Sequence, residues 1–441
     1  MNELATFNQM PVLDYARRVR ALHALALQGQ HHSDEADAIR DEMDAPWDAM
    51  TEQEQDRMRG LSEDLYALAE GGPPCVAMSE QQIQAWKKDL EECKNRYLQG
   101  DIDSWLAFWR KPRPNSFPPL HGIPLSVIHF FQAQSWEKLG NYDIAATFMM
   151  AAEKYDPELS GMVLHTFNLA GNRFEARKYA NRILDNPKET PEDIFMAGST
   201  LLADANWGTR IQLKPLCSRL IPVLTSALEK QRRIPRAKRE LPETEEYLIG
   251  LVGMCYELVG KDRDALSLYE GALKTYPRNP DLFLRRGIVR VYFQNDPNGF
   301  SDIEMAASLG SKRCLPFLLL AEREFNVGKY WEAKSLAQKA SEKNGTNKLL
   351  SLAYQVIAMS LSMLNQNVDW VLDNFKLAEK CDPGNPTIVQ NRAIAIARAD
   401  KKETSEPWKL DKPEIFDFVM PQPDRFDDRV NRQMERMLSV A

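Results

Sequence analysis

The sequence predicts an all-α chain of stacked helical hairpins, and three observations predict it. A comb of glycine, small residues and proline returns along the chain. Gly140, Ala145, Ala152 and Pro157 are spaced 5, 7 and 5, as are Gly260, Ala265, Ala272 and Pro277, and Gly328, Ala333, Ala340 and Gly345. A period of 34 runs through the comb: Ala272, Ala306 and Ala340 stand 34 apart, and so do Gly253 and Gly287. Between these marks apolar residues fall at helical spacing, and Ala333, Ala337 and Ala340 share one helical face. Self-similarity at such a period marks a repeat architecture, in which each unit buries its apolar face against the next.

The elements follow in order. Residues 1–110 read as an N-terminal helical region that is off the period. Within it, residues 11–28 are amphipathic. Thr51 and Glu54 form a capping box ahead of Met58, Leu61, Leu65 and Leu68, and Gly71 to Pro74 end that helix. Ser79 caps a helix reaching Tyr97, and a shorter helix carries Trp105, Phe108 and Trp109. Residues 111–124 are proline-rich and read as a linker. The repeats occupy residues 125–400, with degenerate units and an insertion at 160–245. There Gly171, Ala176 and Ala180 keep the comb behind a shortened first helix. Residues 191–205 make another first helix, and its partner, about 213–232, is longer than standard. Asn279–Pro280 and Asn385–Pro386 each start a helix, with Asn as the cap and Pro in the first turn. Residues 386–399 form a closing helix, and 401–441 a tail with a short amphipathic helix from 424 to 440.

Residues 246–279 carry Ile249, Val252, Gly253, Tyr256, Gly260, Ala265, Tyr269, Ala272 and Pro277 in the order large, large, small, aromatic, Gly, small, aromatic, small, Pro. In that pattern the chain resembles the tetratricopeptide repeat family. The resemblance implies a right-handed α-solenoid of two-helix hairpins and a role in protein–protein interaction. It also implies a concave groove lined by the first helix of each hairpin. Carried over by position, the groove residues are Leu284, Ile288, Val291 and Tyr292, then Leu318, Glu322 and Phe325, then Val356, Met363 and Leu364. Co-chaperones of this family hold a terminal carboxylate with Lys, Asn and Arg at such positions. Here the positions are mostly apolar, so the expected ligand is an apolar segment. On the hairpins themselves, Gly253 and the small residues of the second helix are expected to let two helix axes approach closely.

Lys plus Arg is 56 and Asp plus Glu is 63, a formal charge of −7 that gives no general attraction for nucleic acid or anionic membrane. No apolar run is long enough for a transmembrane helix, and Arg17, Arg18 and Arg20 interrupt the place where a signal peptide needs its apolar core. The six cysteines, 75, 93, 217, 255, 314 and 381, show no CxxC spacing and read as reduced thiols of a cytoplasmic protein. Nucleotide-binding, metalloprotease and nucleophile-elbow motifs are missing, so no catalytic residue and no cofactor is expected. His31–His32 beside Asp34, Glu35 and Asp37 read as a solvated helix start rather than a metal cluster.

These features predict a non-catalytic adaptor or assembly scaffold with a protein or peptide partner. Two alternatives stand beside it. One is a sensor in which the N-terminal region, around Trp86, Trp105 and Trp109, binds a small ligand while the repeats bind a partner. The other is capture of RNA or an acidic partner by the basic loop Arg232, Arg233, Arg236, Lys238 and Arg239, which reads as exposed. The tail holds a further signal. Trp408, Ile415, Phe416, Phe418 and Met420 are too apolar for a solvated strip, and Pro407, Pro413, Pro421 and Pro423 keep it extended. The expectation is that residues 415–420 fold back onto the repeats near Phe325 and Met363, as a permanent cap, a releasable lid or a docking segment for another chain.

Overall fold

The computed structural model describes residues 3–70, 72–114, 125–186, 188–204, 210–239, 243–400, 407–413 and 415. The described residues through Glu189 form one compact unit and those from Thr190 a second.

In the first unit, α1 (Glu3–Leu27), α2 (Asp34–Asp41), α3 (Asp44–Asp48) and α4 (Glu52–Glu70) precede α5 (Glu80–Leu98) and α6 (Ile102–Arg110). The local signals act as read: Thr51 Oγ1 accepts from the Glu54 amide, Glu54 returns a bond to the Thr51 amide at 2.8 Å, and Ser79 and Gln82 make a second capping box. Of residues 111–124, the first four are described. Arg113–Pro114 (β2) pairs in parallel with Cys75–Val76 (β1), a bridge with no period-2 pattern to announce it. Next come α7 (Leu125–Lys138) with α8 (Tyr142–Glu153), and α9 (Ser160–Leu169) with α10 (Arg173–Asp185). Trp105, Phe108, Trp109 and Phe131 stack and edge into one another with ring centroids 5.1–6.1 Å apart, and all four are buried.

The second unit runs α11 (Pro191–Asp204), α12 (Arg210–Arg233), α13 (Thr244–Val259) and α14 (Asp262–Thr275). Then come α15 (Pro280–Ile288), continued by a π turn over Val289–Phe293, α16 (Gly299–Ser308), α17 (Cys314–Asn326) and α18 (Tyr330–Ser341). The last helices are α19 (Asn347–Met363), α20 (Val368–Cys381) and α21 (Pro386–Ala399). Consecutive helices pack as hairpins, α13 on α14, α15 on α16, α17 on α18 and α19 on α20, and each hairpin packs on the next. Asn279 accepts from the amides of Asp281 and Leu282 at 2.9 and 3.0 Å, and Asn385 from that of Thr387 at 2.8 Å, so the two Asn–Pro starts behave as read. The hairpin turns pass through left-handed residues: Gly260 at φ 87°, Gly328 at φ 80°, and between α19 and α20 Asn365 at φ 52°. Asparagine can stand where the comb has glycine because its side chain tolerates that region.

The small residues sit where the comb requires. Ala333, Ala337 and Ala340 are wholly buried within one core that also takes in Leu318, Leu349, Val356, Phe375 and Ala378. Gly253 has a different role from the one its position suggests. A Cβ there would lie 2.3 Å from the Tyr269 ring, so it makes room for an aromatic side chain rather than for a second helix axis. The true backbone approach is at Gly287, whose Cβ would lie 2.7 Å from the carbonyl oxygen of Gly299.

Candidate functional site

The site is a face of the second unit on which the described part of the tail lies. Its construction begins with a buried charge. Glu257 on α13 is fully buried and accepts from Tyr269 Oη at 2.7 Å and from Arg285 Nε at 3.1 Å, while Arg285 Nη2 closes a bidentate pair on its other oxygen. Burial opposes the charge on Arg285, but the Glu257 carboxylate outweighs it and raises the guanidinium pKa above its ordinary value. A buried charge without its partner costs about 3–5 kcal/mol, so the pair must be retained whole once it is built. It holds Arg285 in one orientation, and its remaining nitrogen, Nη1, donates to the main-chain carbonyl of Ile415 at 2.6 Å.

The second anchor is Asn391. It stands in the apolar stripe of α21 with Ile388 and Ala395, and all three are buried. Its Nδ2 donates to the Lys409 carbonyl at 2.6 Å, and its Oδ1 accepts the Lys409 amide at 3.1 Å. One side-chain amide thus brackets the N–H and C=O of one residue. Gln355 on α19 steadies it, accepting from Nδ2 at 3.3 Å.

Side chains of the strip complete the contact. The Trp408 indole N–H faces Met363 Sδ at 3.2 Å, with the Arg398 guanidinium 6.0 Å from the ring. Trp408, Leu410 and Ile415 pack partly buried against the core that contains Phe325, with Met363 beside them. Asp411 accepts from Asn385 Nδ2 at 2.9 Å and from Thr387 Oγ1 at 3.0 Å, both at the first turn of α21. The side chains of Lys409 and Lys412 are exposed.

The ten groove residues divide into three groups. Leu284, Ile288, Leu318, Phe325 and Val356 are buried in the core. Val291, Glu322, Met363 and Leu364 are half-buried, and Tyr292 is 36% exposed. Burial pushes the Glu322 carboxyl up, and burial together with Glu322 pushes the Tyr292 hydroxyl up. Of the tail strip, Trp408 and Ile415 are on this face, whereas Phe416, Phe418 and Met420 lie outside the described residues. Sequence reasoning missed Arg285, Asn391, Asn385 and Thr387. A legible signal existed for one of them: a polar Asn391 inside the stripe Ile388, Asn391, Ala395.

The basic loop is more occupied than its sequence suggests. Arg232 and Arg239 both bind Glu245, at 3.0 and 2.8 Å, Arg239 also donates to the Ile234 carbonyl, and its guanidinium is buried. Arg236 to Lys238 form a 3-10 turn with exposed side chains.

No family model matches the chain, and no curated protein matches it. Similar solved structures include a tetratricopeptide repeat protein from Parabacteroides merdae ATCC 43184, at 14% identity and TM-score 0.44, over 62% of this chain and 99% of that one. Another is the C-terminal part of a TPR repeat-containing protein from Cytophaga hutchinsonii, at 14% identity and TM-score 0.36, over 69% of this chain and 98% of that one. By its own hairpins, with their left-handed turns and buried alanine comb, the chain has a tetratricopeptide-like, all-α solenoid fold. No helix of the described residues is long and apolar enough to cross a membrane.

Proposed function

We propose that this protein is a non-catalytic interaction module of the cytoplasm. Its second unit binds an extended protein segment across α15, α19 and α21, and its own tail is the resident occupant. The observation that carries the reading is the kind of contact the tail makes. Arg285 and Asn391 address main-chain groups, while the apolar side chains of the strip rest on the core. Main-chain bonds supply affinity for any extended segment, and the seats for alternate side chains supply selection. Six cysteines in no disulfide agree with a reducing compartment.

The test is capture with cross-linking. The full chain is compared with one carrying Trp408→Ala, Leu410→Ala and Ile415→Ala, which frees the face by unseating the strip. The triple variant should capture its partner more strongly, with cross-links mapping to α15, α19 and α21. Cross-links confined to α14, α16 and α18, or to the first unit, would reject this reading.

A further inference from the structure

The contacts around the strip are specific enough to read as a recognition rule. We propose that the α19–α21 face is a linear-motif site selecting Trp–any–Leu–Asp in extended conformation. In this proposal residues 408–411 are a releasable resident copy, and a partner segment of the same chemistry displaces them. The inference rests on the proposed function, in which the tail is the occupant.

Each position of the rule has a cause. Trp is selected because the indole N–H meets a sulfur acceptor on Met363 while the ring lies near the Arg398 guanidinium. The next position is free because Lys409 contributes only its amide and carbonyl, both bracketed by Asn391, and its side chain is exposed. Leu follows because it rests on the apolar core. Asp closes the motif because two donors, Asn385 Nδ2 and Thr387 Oγ1, converge on its carboxylate at a helix start, where negative charge is favoured. An uncharged isostere would satisfy these donors less well.

Release follows from what the strip covers. A permanent cap is best met by an apolar floor, because polar groups beneath it must all be matched. Here the floor includes Asn391 and Gln355, both fully buried in the docked state, and Asn385 and Thr387 at the rim. Water can satisfy such groups when the strip leaves. Tethering sets the strength of the competition, since the strip follows α21 in the same chain within a few residues, and a segment so closely tethered is held at an effective concentration of roughly millimolar. A competitor in that range, or a partner with added contacts, should displace it.

The experiment is hydrogen exchange of the full chain, read at the Lys409 amide, with an isotope-labelled peptide Glu-Pro-Trp-Lys-Leu-Asp-Lys-Pro added in trans. Protection in the untreated chain, followed by exchange at least about fivefold faster at millimolar peptide, is expected. Peptides with Ala for Trp or Asn for Asp should compete far less. Asn391→Leu should expose the Lys409 amide while α13 to α18 keep their protection. Asp411→Asn, a change within the tail that leaves the repeats intact, should loosen the strip in the same way. A protected amide that responds to neither peptide nor substitution would overturn the proposal and leave a fixed cap. Equal competition by the altered peptides would overturn the motif. A Lys409 amide exchanging freely from the outset would sink the resident-tail reading itself, a result distinct from the other two.

Discussion

Asp64 and Arg110 show how a single buried residue sets a measurable property. Asp64 on α4 is 2% exposed and accepts a bidentate pair from Arg110 on α6, at 3.0 and 2.9 Å. Gly60, one turn earlier, leaves the space the guanidinium fills, since a Cβ there would lie 2.3 Å from Arg110 Cζ. Burial dominates, and against the pull of Arg110 it pushes the Asp64 carboxyl up to about 6. The sign follows directly. The folded chain holds this proton more tightly than the unfolded chain, so the associated stability is full below about pH 4 and is lost as pH rises through about 6. The stability of the wild-type chain relative to Asp64→Asn should therefore fall by up to about 3 kcal/mol between pH 4 and pH 7 in urea unfolding, and be flat above. A difference that grows with pH would mean that Arg110 holds the carboxyl low.

At the scale of the element, two glycines on neighbouring helices should respond oppositely to the same change. Gly271 lies inside α14 with nothing near its absent Cβ, so Gly271→Ala should stabilise the second unit by about 0.5–1 kcal/mol through helix propensity and a less flexible unfolded chain. Gly287 lies against the Gly299 carbonyl, which is backbone and cannot swing aside, so Gly287→Ala should cost about 1–3 kcal/mol. Ala340→Leu belongs with the second case. Ala340 is wholly buried in the hairpin α17–α18, and the added volume should overpack it by about 1–3 kcal/mol. Denaturant midpoints at constant slope check all three, and an unchanged midpoint for Ala340→Leu would reject the assigned packing face.

Across the whole molecule, the thiols offer a map of burial. None of the six cysteines is in a disulfide: Cys75 is exposed, Cys93 and Cys381 are half-buried, and Cys217, Cys255 and Cys314 are buried. The bond from Cys217 and then burial push the Cys255 thiol well above its usual range, which leaves little thiolate at neutral pH. Native labelling should therefore begin at Cys75, continue slowly at Cys93 and Cys381, and spare the other three until unfolding. Denatured, unreduced protein should take up six labels. A native disulfide, seen as two missing labels, would contradict the reducing compartment proposed for the protein.

By itself the sequence determined the all-α class and most helix starts and stops. Those signals are local: the Thr51–Glu54 box, the Asn–Pro starts at 279 and 385, and Gly260 and Gly328 at turns all act within four or five residues of where they stand. Period also made the alanine comb legible, because burial of Ala333, Ala337 and Ala340 depends only on which residues share a helical face. The same period could not separate a face turned to a ligand from one turned to the next helix. Leu284, Ile288 and Val356 were read as groove and are core. Tertiary structure alone decided the pairings that make the candidate site: Glu257 with Arg285, 28 residues apart, Asn391 with Lys409, 18 apart, and Arg285 with Ile415, 130 apart. Whether a polar side chain meets its partner depends on how helix faces and tail come together in space, and that juxtaposition leaves no periodic trace in the chain.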